Sequence, residues 1–218
     1  MDVRTGPTGA GDNSRQSGKR LLVPTGVGAA ALLWLALVPL GLGCGGGEGG
    51  PAAEKKGELP MTIAITSTAF KAQAAIPKKH TGEGADTSPP LAWSGVPAEA
   101  KELALICDDP DAPRAEPWVH WVLYSLPAGA KDLPEGVPAK ETLQEPQGAR
   151  NGVNDFGKLG YGGPMPPRGH GTHHYYFKLY ALDAALNLAP RLTKKKLLEA
   201  LKGHILAQGE LIGTYERK

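Results

Sequence analysis

Between residues 61 and 70 the chain alternates, with Met61, Ile63 and Ile65 set against Thr62, Ala64 and Thr66. A period of two is the mark of a strand that buries one face. Residues 103–107 (LALIC) depart from it: five apolar side chains stand in a row, bounded by charged residues. A short unbroken run of this kind predicts a central strand covered on both faces. Residues 121–129 (WVLYSLPAG), rich in aromatic and β-branched side chains and stopped at Pro127, predict a strand with a turn behind it. Residues 175–183 (YYFKLYALD) alternate again, with Phe177, Leu179 and Ala181 on one face and Tyr176, Lys178 and Tyr180 on the other. The helical period shows once. After Pro190, Thr193 is placed to cap a short helix with Leu197, Leu198, Leu201 and Ile205 along one side, and Gly203 is placed to end it. The tail ILAQGELIGTY (205–215) predicts a closing strand.

Between these elements, residues 76–93 form one long turn-rich segment, and residues 129–172 carry Gly and Pro at short intervals with no helical period. An excursion of that length without regular structure is uncommon unless it forms a site or a cover over one. Gly 30 and Pro 20 in 218 residues push the same way, because Pro breaks helix interiors and central strands alike. The chain is predicted to be mostly β, and no internal repeat of fixed period is present.

Residues 1–43 stand apart. Arg4, Arg15, Lys19 and Arg20 precede an uncharged apolar run at 27–40 (VGAAALLWLALVPL), the layout of an export signal. The run leads into LGLGC, and Cys44 followed by GGGEGG resembles a bacterial lipoprotein box, in which the cysteine is lipidated and becomes the new N-terminus. Extended back to Leu21, the run approaches the ~20 residues of a membrane-spanning helix, which stays the competing reading. Residues 44–60 have the small, polar, Gly-rich composition of a flexible tether, and the folded unit is expected over 61–218. The expectation is an exported protein anchored at a membrane of the bacterial cell envelope.

Loss of residues 1–44 removes four of 24 basic and two of 22 acidic side chains, leaving 20 of each. A formally neutral domain with scattered lysines has no electrostatic footprint for nucleic acid. With Cys44 as the lipidation candidate, Cys107 has no disulfide partner and is expected to be a buried free thiol at the end of its strand. Gly-rich phosphate loops and a GxSxG elbow are both missing from the sequence, so no cofactor and no serine nucleophile are called for.

Chemistry-bearing residues gather in two places. In DDPDAP (108–113), Pro110 and Pro113 push Asp109 and Ala112 into extended backbone, so Asp108, Asp109 and Asp111 are presented on a rigid bend. The plainer role for such aspartates is to bond nearby backbone N–H groups in turns. His120, flanked by Trp118 and Trp121, returns close to the bend. There a carboxylate would fix its tautomer and raise its pKa, or a backbone carbonyl would satisfy it as an ordinary core histidine. The second place is residues 160–177 (GYGGPMPPRGHGTHHYYF), whose glycines allow backbone N–H groups to face an anion. His170, His173 and His174 invite a metal reading, but His173 and His174 point to opposite faces of one strand and no HExxH or paired CxxC accompanies them. No metal is expected.

Taken in order, SPPLAW (88–93), DPDAP (109–113), WVHW (118–121), DFGKLGYGGPMPPRG (155–169), THHYYFKLYALD (172–183) and GHILAQGELIGTY (203–215) resemble the phosphatidylethanolamine-binding proteins, most nearly their bacterial, Raf kinase inhibitor-like branch. The resemblance spans essentially the whole folded unit. It implies two antiparallel sheets with Greek-key connections, one or two short peripheral helices, and a small anion pocket at one end of the larger sheet. It assigns the pocket to Asp109, Asp111, His120, Pro167, His173 and Tyr175, and suggests a cis peptide between Ala112 and Pro113. His174 departs from the family's usual arginine, and the C-terminal helix that borders the ligand site of eukaryotic members has no counterpart, so a more open pocket is expected. The implied role is a non-enzymatic binding protein for phosphate or a phospholipid head group such as phosphoethanolamine. Inhibition of a partner protease or kinase through the protein surface is the alternative, hydrolysis by the Asp/His cluster a third, and a homodimer stays open.

Overall fold

The computed structural model describes residues 63–218; the expected export segment, Cys44 and the tether lie outside the described residues. Strands β1 (Ala64–Thr66), β2 (Leu91–Ser94) and β5 (Asp132–Leu133) form one antiparallel sheet in that order. A larger antiparallel sheet has the order β6 (Arg150–Asn151), β4 (Trp118–Pro127), β3 (Glu102–Asp109), β7 (Thr172–Leu182), β8 (Ile205–Glu216). The chain lays down β3, β4 and β6 side by side, and the long connection after β6 returns β7 to the other side of β3, which is a Greek key.

β3 is central, as its unbroken apolar run predicts, and all eight of its residues are buried. Leu103, Leu105 and Cys107 join a core between the sheets with Ile65, Trp93, Trp121 and Phe177, while Ala104 and Ile106 join a second cluster with Val122, Tyr124, Leu197 and Leu201. That second cluster is roofed by α1 (Lys194–Leu201), whose buried residues are Leu197 and Leu201. Thr193 occupies the N-cap position, although its hydroxyl makes no capping bond, and Gly203 at φ 83° turns the chain out of the helix. Ile205 belongs to β8 and not to the helix.

Two elements differ from the sequence reading. β2 lies inside the segment read as turns, because only Leu91 and Trp93 are buried in its four residues and so short an alternation has no weight alone. Among the described residues the cis peptide is at Glu145–Pro146, and Ala112–Pro113 is not cis.

The register of β3 on β4 slips near the end that carries the acidic bend. Cys107 pairs with Trp121 and Asp108 with Val119, which leaves His120 as an extra residue on β4. Such a bulge re-aims a side chain. It carries Val119 to the helix-side cluster together with Val122, three residues on, where strict alternation would have separated them.

Close approach fixes one glycine. A Cβ on Gly209 of β8 would lie 1.9 Å from the carbonyl oxygen of Ile63, whose N–H donates to Gln208 O at 3.3 Å. Gly209→Ala is therefore expected to lower the unfolding free energy by ~1–3 kcal/mol through overpacking. Urea denaturation would record this as a lower midpoint with an unchanged slope.

Candidate binding cavity at the end of the larger sheet

Alternation along β3 and β7 decides what meets at this end. Asp109 continues the face of Leu105 and Cys107, and His173 and Tyr175 continue the face of Phe177 and Leu179. Their side chains, with His120 and Pro167, line a cavity of about 470 Å³. Its walls are otherwise apolar or aromatic: Ala112 and Pro113 from the bend, Trp118 from β4, Phe156, Met165 and Pro166 from the loop before β7, with Arg114 at the edge. Five of the six residues assigned by resemblance are thus brought together. The sixth, Asp111, does not line the cavity; its Oδ2 accepts hydrogen bonds from the backbone N–H and Nδ1 of His174, at 2.8 and 2.7 Å. Partial burial opposes ionisation of Asp111, but those bonds hold its carboxyl below the usual value.

Asp109 is 3% exposed and is hydrogen-bonded on both oxygens. Oδ1 accepts the N–H of Asp111 at 2.8 Å, and Oδ2 accepts from Nδ1 of His173, itself 1% exposed, at 2.7 Å. The carboxylate-bound histidine is therefore His173. His120 takes the other of the two roles open to it: its Nδ1–H donates to the carbonyl of Gly162 at 2.6 Å, and Gly162 N–H returns a bond to His120 O at 2.9 Å. Among the described residues Nε2 of His120 has no hydrogen-bond partner. Its ring stands edge-on to Tyr175 and Phe156, with centroids 5.0 and 5.4 Å away.

Burial disfavours the imidazolium, so the pKa of His120 falls below its ordinary 6.5, against the opposing pull of the Gly162 bond and of Asp109. The stability consequence has a definite sign. The unfolded chain binds the proton more readily than the folded one, so the contribution is full above about pH 6.5 and is lost as pH falls below it. Wild type should lose up to ~1.4 kcal/mol per pH unit more than His120→Gln in that window, read from denaturation midpoints across pH.

Tyr175 is pushed well above the ordinary phenol value by burial and by Asp109, so it stays a neutral hydroxyl. Its hydroxyl and Nε1 of Trp118 are both buried without a hydrogen-bond partner. Cys107 is a buried free thiol held protonated by burial and by Asp108 and Asp109, as its place in the core predicts. Among the described residues no His, Cys, Asp or Glu cluster is placed to hold a metal ion.

The loop bearing Phe156 and Met165 is built around Asn154, whose Oδ1 accepts from the N–H groups of Phe156 and Lys158 and whose Nδ2 donates to Gly160 O. Further along, Gly163 N–H donates to Asp86 Oδ1 at 2.6 Å and Gly82 N–H to Pro164 O at 3.0 Å. A Cβ on Gly163 would meet His80 O at 2.5 Å, so the close passage needs glycine. Sequence reading missed Phe156, Met165 and Arg114. Phe156 and Met165 are apolar residues in a polar loop and are the exposed large hydrophobics of the described residues, a signal that needs burial to interpret. Arg114 sits 5.1 Å over the Trp118 ring and 3.0 Å from Asp155, contacts that spacing does not announce.

The family model for phosphatidylethanolamine-binding protein matches residues 66–216. The chain belongs to the phosphatidylethanolamine-binding protein family. Within the family, a UPF0098 protein of Pyrococcus horikoshii is 45% identical over 182 residues, 84% of this chain and 86% of the relative. One from Methanothermobacter thermautotrophicus is 50% identical over 153 residues, 70% of this chain and 98% of the relative. Among solved structures, a phosphatidylethanolamine-binding protein homologue from Chlamydia trachomatis matches at 42% identity and TM-score 0.65, covering 73% of this chain and all of that one. E. coli YbcL matches at 35% identity and TM-score 0.67, covering 72% of this chain and 99% of its own. The two-sheet fold expected of the family is the fold described above.

Proposed function

We propose that the domain is a non-enzymatic binding module whose cavity takes a small anionic group, either phosphate or a head group of the phosphoethanolamine kind. One observation carries this reading: Tyr175 and Trp118 line the same cavity, and each has a buried donor with no protein partner. Buried polar groups are rarely left unpaired, and two on one cavity call for a ligand oxygen. His120 Nε2 and Asp109 beside them suit a zwitterion, since a ligand ammonium can donate to both while its anionic oxygens accept from Tyr175 and Trp118. The apolar walls exclude water and strengthen these bonds.

Isothermal titration with phosphoethanolamine tests it. Wild type should bind, and Tyr175→Phe, which removes one hydroxyl and little else, should weaken binding about 10-fold, the worth of a hydrogen bond to a charged group at ~1.5 kcal/mol. Absence of heat from wild type, or equal affinity in the variant, would overturn the assignment. We also propose, from the sequence alone, that the protein is exported and lipid-anchored at Cys44. Cys44→Ala should then move it from the membrane to the soluble fraction, whereas retention would point to a spanning segment at 21–42.

A further inference from the structure

His173 is held at both ring nitrogens. Nδ1 faces Asp109 Oδ2 at 2.7 Å, and Nε2 lies 2.7 Å from Nδ1 of His170. The series runs from a buried carboxylate through a buried imidazole to an exposed one. His170 is not a cavity-lining residue, so the binding role above leaves this contact without a purpose.

Counting protons gives it one. A carboxylate accepts only, so Nδ1 of His173 carries hydrogen. A 2.7 Å nitrogen–nitrogen contact holds one hydrogen, because two would collide and none would leave two lone pairs opposed. With those two hydrogens both rings are neutral, and the cluster with Asp109 has a net charge of −1. One more proton fits, and its only open nitrogen is Nε2 of His170. The added charge is then shared along the pair by moving the central hydrogen to either ring, and the cluster becomes neutral. A fourth hydrogen would break the contact. The pair therefore has room for a single excess proton, shared between its two rings.

The two states differ at the cavity. Asp109 and His173 both line it, so on that side an anion meets a carboxylate with a neutral imidazole in the first state and an imidazolium–carboxylate pair in the second. Other charged groups nearby have partners of their own: Arg114 lies 3.0 Å from Asp155, Asp111 is bonded to His174, and Glu83 to Tyr215 and Arg217 with Arg168 at 3.5 Å. Tyr175 stays neutral. His120 and His174 are the other groups able to accept a proton. We propose that His170 is the proton port of the cavity, through which capture of an anion is coupled to uptake of one proton by the His170–His173 pair. The inference rests on the anion-binding reading and adds to it a residue and a pH dependence.

Sulfate is the probe, because its charge is constant between about pH 5 and 8, where histidine titrates. Titration in two buffers of different ionisation enthalpy counts the protons taken up. Above the midpoint of the pair, wild type should take up close to one proton per sulfate, and its affinity should fall about 10-fold per pH unit. His170→Phe keeps a ring and removes both nitrogens, leaving only Nε2 of His173, 1% exposed and with no acceptor for an added hydrogen, to take the proton; uptake at neutral pH should drop well below that of wild type and affinity there should depend less on pH. Undiminished uptake in that variant shows that the proton is held without His170, at His120, His173 or His174, and overturns the proposal. Ring-nitrogen NMR of the wild type separates this from failure of the anion reading. If sulfate gives no heat, His170 and His173 titrating in one shared step still supports the relay, and two independent steps reject it.

Discussion

Substituting Asp109 by alanine lowers the unfolding free energy by ~2–4 kcal/mol, because one buried and one half-buried donor lose their acceptor at once and an orphaned buried group costs ~1–3 kcal/mol. The donors are Nδ1–H of His173 and the N–H of Asp111. A domain of this kind is stable by only ~5–15 kcal/mol, so the loss is a large share of the total. Denaturant titration should show a lower midpoint at constant slope. Asp109→Asn retains one acceptor and the side-chain shape, and is expected to recover about half of the loss. An alanine variant as stable as wild type would mean that the bend stands without this carboxylate, and with it would go the claim that Asp109 sets the cavity wall.

The second large effect is on the other face of the same strand. Asp108 is fully buried, and its oxygens accept from Lys178 Nζ at 2.9 Å and Lys194 Nζ at 2.5 Å. Lys194 begins α1, so the pair of lysines ties the helix to the sheet. Replacing both with methionine keeps the apolar stems and removes the charges, leaving a carboxylate with no cation in an apolar site. The expected cost is ~3–5 kcal/mol. Adding Asp108→Leu to that variant should restore most of the stability, since an apolar substitute for a complete buried ion cluster is often neutral. If the triple variant is no better than the double, packing of the lysine stems and not charge is what the site provides. Thermal unfolding of the three proteins side by side separates the outcomes.

Much of this arrangement is legible in the chain, for a physical reason. A period of two assigns Asp109, His173 and Tyr175 to one face as soon as β3 and β7 are recognised, and the apolar run at 103–107 identifies β3 as central. The proline-bounded aspartates likewise announce a rigid bend. His120 is different. Its orientation depends on the register slip opposite Cys107 and Asp108, and a bulge is a property of two paired strands, which the pattern of either one does not contain. The choice between a carboxylate and a carbonyl partner for His120 was therefore open in the sequence, and the loop returning Gly162 to its ring decides it. Phe156 and Met165 were out of reach for a similar reason, since their loop is shaped by bonds from Asn154, Asp86 and Gly82 to residues near and far.

Asp108 and Asp109 are separated by a single peptide group and are gripped from opposite sides, one by lysines and the other by an imidazole. A rotation of the strand about its own axis would loosen both holds together, so that peptide group acts as a fixed pivot. The cavity floor is consequently expected to have the same shape empty and occupied, with any adjustment to a guest confined to the 112–117 bend and the 156–167 loop. A guest then loses little affinity to reorganisation of the protein, and a pocket with few polar contacts can still discriminate sharply by size.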